Sequence, residues 1–328
     1  MIIRYLLFIT LVLISCISND SYAQIDQSAV NDFIRNVAFQ QKRPLKEVEA
    51  IINQAEYQSD IIEKMSRPAE KTMTWERYRN IFMKQERIEA GVDFWVTNEK
   101  VLNDVSTLTG VSIEAILGVI GVETYFGQRM GNYRVLDALY TLAFGYPRRS
   151  SFFKAELSKY LELCEKEGLD PLTIKGSYAG AMGYGQFMPS SYLAYAKSYD
   201  SESGADLVNQ ADDAIASVAN YLKVHRWEKG GLVAVEVKKS QNAASLAKQK
   251  VKPANSVDYY IQKGYEPKET INSSELASLQ VMDKEDGSEE YWMTFKNFYV
   301  ITRYNHSPLY ALAVFQLGEA IKSARYPE

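Results

Sequence analysis

Apolar residues recur every three to four positions through residues 26–105, the spacing that places side chains on one face of a helix. Pro44 and Pro68 fall where helices begin or break. Few stretches alternate as strands do, so the pattern predicts a helical N-terminal region over residues 24–106. The predicted helices are Asp26–Ala38, Leu45–Gln54 and Trp75–Gly91.

The next part of the chain, residues 107–231, carries start and stop signals for further helices. Ser112 can cap a helix through the apolar run IEAILGVIGVETYF, which Gly127 can end. Ser150 or Ser151 can cap a second helix, which is predicted to stop at Gly168 because glycine adopts the left-handed conformation at helix ends.

A glycine-rich segment without charge follows over residues 176–196. Its four glycines and Pro189 disfavour a continuous helix. Beyond it, Asp212 or Asp213 is predicted to start another helix, which Gly230-Gly231 ends. The apolar face of that helix consists of Ile215, Val218, Ala219 and Leu222.

After residue 231 the pattern changes to short apolar runs that are typical of strands. Ser307-Pro308 then opens a last amphipathic helix, with a capping serine and proline at the first helical position. The pattern predicts a mainly α (α+β) fold: a helical core over 107–231, a small α/β insertion over 232–304 and a C-terminal helix over 305–328 that packs on the core. The predicted strands are Leu232–Val237, Tyr291–Phe295 and Phe298–Thr302.

Composition narrows the class of protein. The 328 residues contain 37 Lys plus Arg and 41 Asp plus Glu, a net charge of −4 that argues against a dedicated nucleic-acid binder. The two histidines, His225 and His306, exclude a three-histidine metal site. The two cysteines cannot build a disulfide framework, and Cys164 lies on the apolar face of its helix, which predicts a buried structural thiol.

The N-terminus predicts export. Arg4 precedes an apolar run, Tyr5–Ile14, that is too short to span a bilayer comfortably. Two interpretations stay open: a signal peptide over residues 1–23 that is cut before Gln24, or a lipoprotein signal, Leu13–Cys16, in which Cys16 is acylated. Both place the mature chain outside the cytoplasm, in the periplasm, and the second adds an outer-membrane lipid anchor.

Glu123 is the first candidate for chemistry. It is the only charged residue between Glu114 and Arg129, and it falls in the last turn of its predicted helix. The negative end of the helix dipole and apolar neighbours both disfavour the ionised form, so we expect a raised pKa. A protonated glutamic acid suits general-acid cleavage of a glycosidic bond. The alternative is a surface glutamate at a frayed helix end.

The glycine-rich segment is the second candidate, because its glycines let a ligand approach the backbone closely. It lacks the Gly-Lys-Ser or Gly-Lys-Thr of a phosphate loop. The alternative is a packing corner between helices. The side chains there that can bind sugar hydroxyls or acetamides are Ser177, Tyr178, Tyr184 and Gln186.

Three other features carry weaker signals. Arg148 and Arg149 follow a turn and form either a solvated pair or a site for carboxylates of an anionic polymer. Both histidines are interpreted as structural. The loop Asp200–Asp206 is similar to a calcium loop but lacks its regular acid spacing, so no metal site is predicted.

Several long motifs together resemble the membrane-bound lytic murein transglycosylase B family. The resemblance runs in order from about Met73 to the C-terminus. The motifs are GVIGVETYFG (118–127), MGNYRVLDALYTLAFGYPRR (130–149), KGSYAGAMGYGQFMPSSY (175–192), DAIASVANYLKVHRW (213–227) and NFYVITRYNHSPLYALAV (297–314).

The resemblance implies a lysozyme-like helical core and cleavage of the β-1,4 bond between N-acetylmuramic acid and N-acetylglucosamine in peptidoglycan. Glu123 matches the single catalytic glutamate of the family. Phe152 stands where some members have tyrosine. The residues that match substrate-binding positions are Ser177, Gln186, Arg148, Arg149, Tyr221, Tyr304, Asn305, Tyr310 and Tyr78, and Tyr178 is added as a polar aromatic of the same segment.

The implied mechanism uses one carboxyl group as acid and then as base, yields a 1,6-anhydro sugar and needs no cofactor. The implied partner is the glycan strand, bound by a monomer. Two rival functions remain at this point. A lysozyme-type hydrolase would need a second carboxylate, for which Asp137 and Asp170 are the nearest in sequence. A non-catalytic peptidoglycan-binding scaffold would not need Glu123.

Overall fold

The computed structural model describes residues 25–66, 73–200, 204–246 and 249–327. The predicted signal segment with Cys16, and Pro68, lie outside the described residues. The helices are α1 Gln27–Gln41, α2 Leu45–Ile52, α3 Ser59–Ser66, α4 Trp75–Phe82, α5 Gln85–Thr97, α6 Glu99–Thr109, α7 Ile113–Thr124, α8 Val135–Gly145, α9 Ser150–Glu167, α10 Pro189–Tyr195, α11 Ala211–Val224, α12 Val257–Gln262, α13 Lys296–Tyr304 and α14 Pro308–Arg325. The strands are β1 Tyr133–Arg134, β2 Lys175–Gly176, β3 Ala234–Lys239, β4 Asn255–Ser256, β5 Tyr265–Pro267, β6 Leu276–Asp283 and β7 Glu289–Thr294.

Helix α7 lies at the centre of the main core, and most of its residues are buried. Apolar residues occur on every face of α7, as expected for a helix that other helices surround. It packs along α14, and glycines on each helix make the approach close. A Cβ atom at Gly118 would collide with the carbonyl oxygen of Val314, and one at Gly318 would collide with that of Glu114. This contact holds the first two turns of α7 against α14.

The strands form two antiparallel sheets. One is a two-stranded pair, β1 with β2, and the other has the order β4-β6-β7-β3-β5. The larger sheet has its own small core, which includes Val235, Tyr260 and Met293. The Nε1 atom of buried Trp75 on α4 donates to Glu290 Oε2 on β7 at 3.1 Å, so the sheet is tied to the helical core.

Most predicted helices are present, and their ends follow the capping chemistry. Ser112 Oγ accepts the Ala115 N–H at the start of α7, and Ser307 Oγ accepts the Tyr310 N–H at the start of α14. Gly168 adopts the left-handed conformation after α9. Cys164 is buried as predicted, and burial raises the pKa of its thiol to about 11.

Several predicted boundaries were wrong. The stretch 75–91 is broken at Met83-Lys84 into α4 and α5. Helix α7 ends before Gly127, because Tyr125 already turns into the left-handed region with φ 54°. Helix α11 ends at Val224, six residues before Gly230.

The start of α9 also differs from the prediction. Neither predicted serine caps it through a side-chain bond to its first turn. Ser150 instead donates its hydroxyl to the Ala143 carbonyl at 2.5 Å, which closes the turn between α8 and α9.

The prediction of a strand over Phe298–Thr302 was wrong, because this segment lies within α13. Phe298, Ile301 and Thr302 are buried at a spacing of three and four residues, which suits one helix face. Aromatic and β-branched residues favour strands locally, but packing of α13 against α11 and α14 overrides that preference.

No single helix among the described residues is long and apolar enough to cross a membrane. The pair Glu99–Thr109 and Ile113–Thr124 reaches that length and hydropathy only when combined, and the two helices are bent by 118° at their junction.

Candidate active site

Glu123 lies in the last turn of α7, where the chain reverses. The reversal is fixed by Thr124, whose hydroxyl donates to the Tyr184 carbonyl at 2.8 Å and accepts the Gly127 N–H at 3.0 Å. The Arg129 N–H donates to the Thr124 carbonyl at 2.8 Å. All three bonds involve Thr124, the residue directly after Glu123. The end of α7 is therefore rigid where the Glu123 side chain leaves it.

A buried tyrosine contacts the Glu123 carboxyl group directly. The Tyr310 hydroxyl, in the first turn of α14, donates to Glu123 Oε1 at 2.7 Å. Burial and, next, the charge of Glu123 raise the pKa of Tyr310 well above its usual value. The phenol therefore stays neutral and remains a hydrogen-bond donor at any pH near neutrality.

A second layer of aromatic rings supports this tyrosine. Tyr304 lies parallel to Tyr310, with ring centroids 6.4 Å apart, and donates its hydroxyl to the Gly185 carbonyl at 2.5 Å. Tyr221 meets Tyr304 edge-on at 4.8 Å and donates its own hydroxyl to the Arg303 carbonyl at 2.5 Å. The ring of His225 stacks on Tyr221 at 4.1 Å.

The glycine-rich segment lies beside Glu123 as a series of turns. Ser177 Oγ accepts the N–H groups of Ala179 and Ala181 at 3.3 and 3.1 Å, which closes one turn. Gln186 adopts φ 50°, and its Nε2 donates to the carbonyls of Met130 and Gly183, both at 3.0 Å. The segment is thus both a packing corner and a groove wall.

The Glu123 side chain lines a surface groove of about 520 Å³. Of the predicted site residues, those that line it are Glu123, Arg149, Ser177, Tyr178, Gln186, Tyr304 and Asn305. The lining residues that sequence reasoning did not place in the site are Met65, Phe153, Ala179, Ala181, Met188 and His306.

Five predicted site residues do not line this groove. Tyr184 packs beside Gly127 and the Phe94 ring instead. Tyr310 contacts Glu123 from behind, and Tyr221 contacts Tyr304. Tyr78 is buried on α4, close enough to Tyr310 to add slightly to the raised pKa of that phenol. Arg148 is exposed on the turn before α9 and is not among the lining residues.

Arg149 and Phe152 form one side of the groove. The guanidinium carbon of Arg149 lies 4.2 Å from the centroid of the Phe152 ring, which is 37% exposed. Such stacking fixes a guanidinium while its N–H groups stay available for an anion. His306, interpreted as structural from the sequence, also lines the groove, and its Nε2 lies 3.2 Å from Arg303 Nη1.

The rival carboxylates lie elsewhere. Asp137 accepts two bonds from Arg134, at 2.6 and 2.8 Å, and Asp170 Oδ1 accepts the Leu172 N–H at 2.9 Å. Neither is among the groove-lining residues. The lysozyme-type alternative therefore lacks a second acid from this pair at the groove.

No group of three or more potential metal ligands occurs within the described part of the chain. In the loop Asp200–Asp206, residues 201–203 lie outside that part. Asp206 Oδ1 accepts the N–H groups of Val208 and Asn209, and its Oδ2 accepts the Asn209 side-chain amide.

Comparison with known proteins decides the family. The model of the transglycosylase SLT domain matches residues 26–319. The chain belongs to this transglycosylase SLT family. The predicted family and the mainly α class are confirmed, and the chain is a peptidoglycan lytic transglycosylase with the lysozyme-like fold of its structural neighbours.

Individual relatives agree over most of their length. The chain is 41% identical to the membrane-bound lytic murein transglycosylase B of Escherichia coli strain K12, over 85% of this chain and 79% of that protein. The Escherichia coli lytic transglycosylase Slt35 in complex with bulgecin A is 40% identical, with a TM-score of 0.84 over 93% and 95% of the two chains. Pseudomonas aeruginosa SltB3 in complex with NAG-anhNAM-pentapeptide is 26% identical, with a TM-score of 0.79 over 90% and 79%.

Proposed function

We propose that Glu123 alone performs the proton transfers by which this enzyme cuts the β-1,4 bond between N-acetylmuramic acid and N-acetylglucosamine. One observation carries the proposal: Glu123 projects from the end of a buried helix into the groove while a buried phenol donates to its carboxyl group at 2.7 Å. A carboxyl group at such a site can lose and regain a proton without disrupting the fold.

The reaction proceeds in two steps. Protonated Glu123 donates its proton to the glycosidic oxygen as the bond to C1 breaks, and the substrate's 2-acetamido oxygen stabilises the charge at C1. The Glu123 carboxylate then takes the proton from the C6 hydroxyl, and O6 bonds to C1. The products are a free 4-hydroxyl on one sugar and a 1,6-anhydro-N-acetylmuramic acid end on the other, with no water consumed. A substrate acetamide thus replaces the second carboxylate that most glycosidases use.

Tyr310 has a defined part in this cycle. Its hydroxyl donates to the carboxyl group and therefore favours the ionised form, which is the base of the second step. Because the phenol stays neutral, it can stabilise the carboxylate without taking its proton. Tyr304 and Tyr221 hold Tyr310 in place and act as positioning residues.

The remaining predicted residues are proposed to bind the strand. We assign direct contact to the groove-lining ones and an indirect role to Tyr78 and Tyr221, which are buried behind them. Arg148 is proposed to meet substrate carboxylates outside the groove, next to Arg149. The direct contacts are Arg149, Ser177, Tyr178, Gln186, Tyr304 and Asn305.

The proposed location is the periplasm, in agreement with the membrane-bound relative and with the export signal. Attachment to the outer membrane through an acylated Cys16, and a monomeric state, belong to the same proposal. Mass spectrometry of the mature N-terminus distinguishes acylated Cys16 from Gln24.

The product decides the reaction. Purified sacculi are digested, and the soluble muropeptides are weighed by mass spectrometry. A transglycosylase leaves anhydro ends, which are one water lighter than reducing ends. Reducing ends alone would contradict the proposed mechanism and support a hydrolase. A scaffold would release no muropeptides, although it would still sediment with sacculi.

A further inference from the structure

Two arginines lie against one tyrosine ring immediately beyond the catalytic helix. The guanidinium carbon of Arg87, on α5, lies 4.7 Å from the Tyr125 ring centroid, and that of Arg129 lies 5.2 Å from it. Tyr125 is the residue that turns left-handed at the end of α7, two positions after Glu123. Tyr125 and Arg129 therefore belong to the reversal that presents Glu123, and Arg87 contacts it from α5.

The positive charge of this group is not neutralised within the described chain. Arg87 is only 7% exposed, and its Nη1 donates to the neutral Gly121 carbonyl at 2.7 Å. Burial and, next, the charge of Arg129 lower the pKa of Arg87. The ion pairs between described residues include neither arginine. Two like charges held this way attract an anion.

The group is joined to the groove by the backbone. Arg129 is exposed, and its N–H donates to the carbonyl of Thr124, the neighbour of Glu123. The next residue, Met130, accepts a bond from the groove residue Gln186. The position of Arg129 relative to Glu123 and Gln186 is thus fixed by two hydrogen bonds.

Arg129 resembles Arg149 in its setting. Each guanidinium lies against an aromatic ring beside Glu123, on Tyr125 after α7 in one case and on Phe152 in α9 in the other. Stacking fixes the plane of a guanidinium and leaves its edge to form paired hydrogen bonds with a carboxylate. Arg87 stands behind the ring and adds positive potential without reaching the ligand itself.

We infer that Arg129, backed by Tyr125 and Arg87, is a second anion-binding site that takes a peptide-stem carboxylate of the bound glycan strand. The inference rests on the proposed function, because it is the peptidoglycan strand that carries such stems at regular intervals. A strand that lies along the groove would then be held by Arg149 and Arg129 at different stems.

Binding is tested without turnover. In the full mature chain carrying Glu123→Gln, the dissociation constant is measured for peptide-bearing glycan strands and for strands stripped of their peptides. Addition of Arg129→Gln is expected to weaken binding of peptide-bearing strands about tenfold, the usual effect of losing one charge-assisted contact. Stripped strands should bind as before, and the difference should shrink with added salt.

The controls separate a specific site from general charge. Arg129→Lys keeps the charge and should retain part of the preference. Arg35→Gln removes an exposed arginine on α1, paired with Asp32, and should change neither constant. Equal weakening for both kinds of strand, or no change for either, would overturn the inference.

The failure of the proposed function would be seen separately. The parent chain with Glu123 intact is assayed for anhydro ends on both kinds of strand. If the parent chain produced no anhydro ends, the proposed mechanism would be refuted. The dissociation constants report on Arg129 regardless of which product forms.

Discussion

Two acids on neighbouring helices of the core, Glu123 and Asp137, are built into opposite electrostatic settings. Asp137 on α8 accepts two bonds from the Arg134 guanidinium and one from the Glu56 N–H at 2.8 Å. Glu123 on α7 accepts from the neutral hydroxyl of Tyr310 and faces the groove. The first carboxylate is held by a cation and an amide, whereas the second contacts one neutral hydroxyl group at the edge of the groove.

The difference shows why burial alone does not identify a catalytic acid. Asp137 is the more buried of the two, at 5% exposure, yet its contacts join α8 to the loop before α3. Glu156 is similar, since its oxygens accept the N–H and hydroxyl of Ser190 at the start of α10. These acids hold backbone groups together, whereas Glu123 contacts a phenol and the groove.

The largest effect is expected from Glu123→Gln. Loss of a group that serves as both acid and base should reduce muropeptide release about 10³-fold or more, because each proton transfer contributes roughly 10²–10⁴-fold. The melting temperature should stay close to that of the parent, since glutamine is nearly isosteric. Release by the variant at the parent rate would remove Glu123 from the mechanism.

The matched change Asp137→Asn should lower the stability of the protein and leave its activity unchanged. It leaves the Arg134 guanidinium, whose side chain is 25% exposed, without its charged partner. We expect a loss of about 2–3 kcal/mol in the free energy of unfolding, somewhat below the usual range for a fully buried pair. The activity per folded molecule should not change, and the products should still be anhydro ends. Urea unfolding and product mass measure the two quantities.

A smaller effect is expected from Tyr310→Phe, and it should appear in the pH profile. Tyr310 stays protonated near neutrality, because burial and Glu123 raise its pKa. Its hydroxyl therefore always favours the carboxylate, and its removal makes the carboxyl group harder to ionise. Both limbs of the profile of rate against pH should move to higher pH, with a rate loss of about tenfold.

Tyr160→Phe is the control for this prediction. Tyr160 is also fully buried, and its hydroxyl donates to the Pro171 carbonyl at 2.9 Å, in a part of the core that does not line the groove. The variant should lose about 1 kcal/mol of stability and keep the parent profile. A profile for Tyr310→Phe that also coincides with the parent would show that its bond to Glu123 has no catalytic effect.

A feature could be predicted from the sequence when the residues that determine it lie close together along the chain. Glu123 could be proposed because it is a lone charge in an apolar helix. The start of α14 at Ser307-Pro308 could be predicted because a helix cap is a pattern of about four consecutive residues. The hydrogen bond from Tyr310 joins residues that are 187 positions apart, so no local pattern contains it. The helix α13 was missed because its propensity favours a strand and its partners are distant in sequence.

The site shows the same limit. The predicted positions other than Glu123 came from a resemblance, from the polar side chains of the glycine-rich segment and from the Arg148-Arg149 pair. None of these signals distinguishes a residue that lines the groove from one behind it. Arg87 was not identified because a buried arginine on an amphipathic helix has the same sequence pattern as an exposed one. Arg129 was not identified because an arginine in an exposed turn gives no sign of the ring that it contacts. Their relation becomes visible only in the structure, where both guanidinium groups contact the Tyr125 ring.

The smallest effect is expected from Tyr221→Phe, which tests how far the support of Glu123 extends. Burial raises the pKa of Tyr221 to about 12, so its hydroxyl is a neutral donor to the Arg303 carbonyl. The phenylalanine ring can keep the edge-on contact with Tyr304 and the stack with His225 while it loses that one bond. We expect about 1 kcal/mol less stability and a rate within about threefold of the parent, with an unchanged pH profile. Tyr221→Ala removes the ring as well, so Tyr304 and then Tyr310 lose their support, and its rate should fall well below that of Tyr221→Phe. Steady-state rates with the two variants measured side by side check the order, and equal rates for both would show that Tyr304 holds its position without Tyr221.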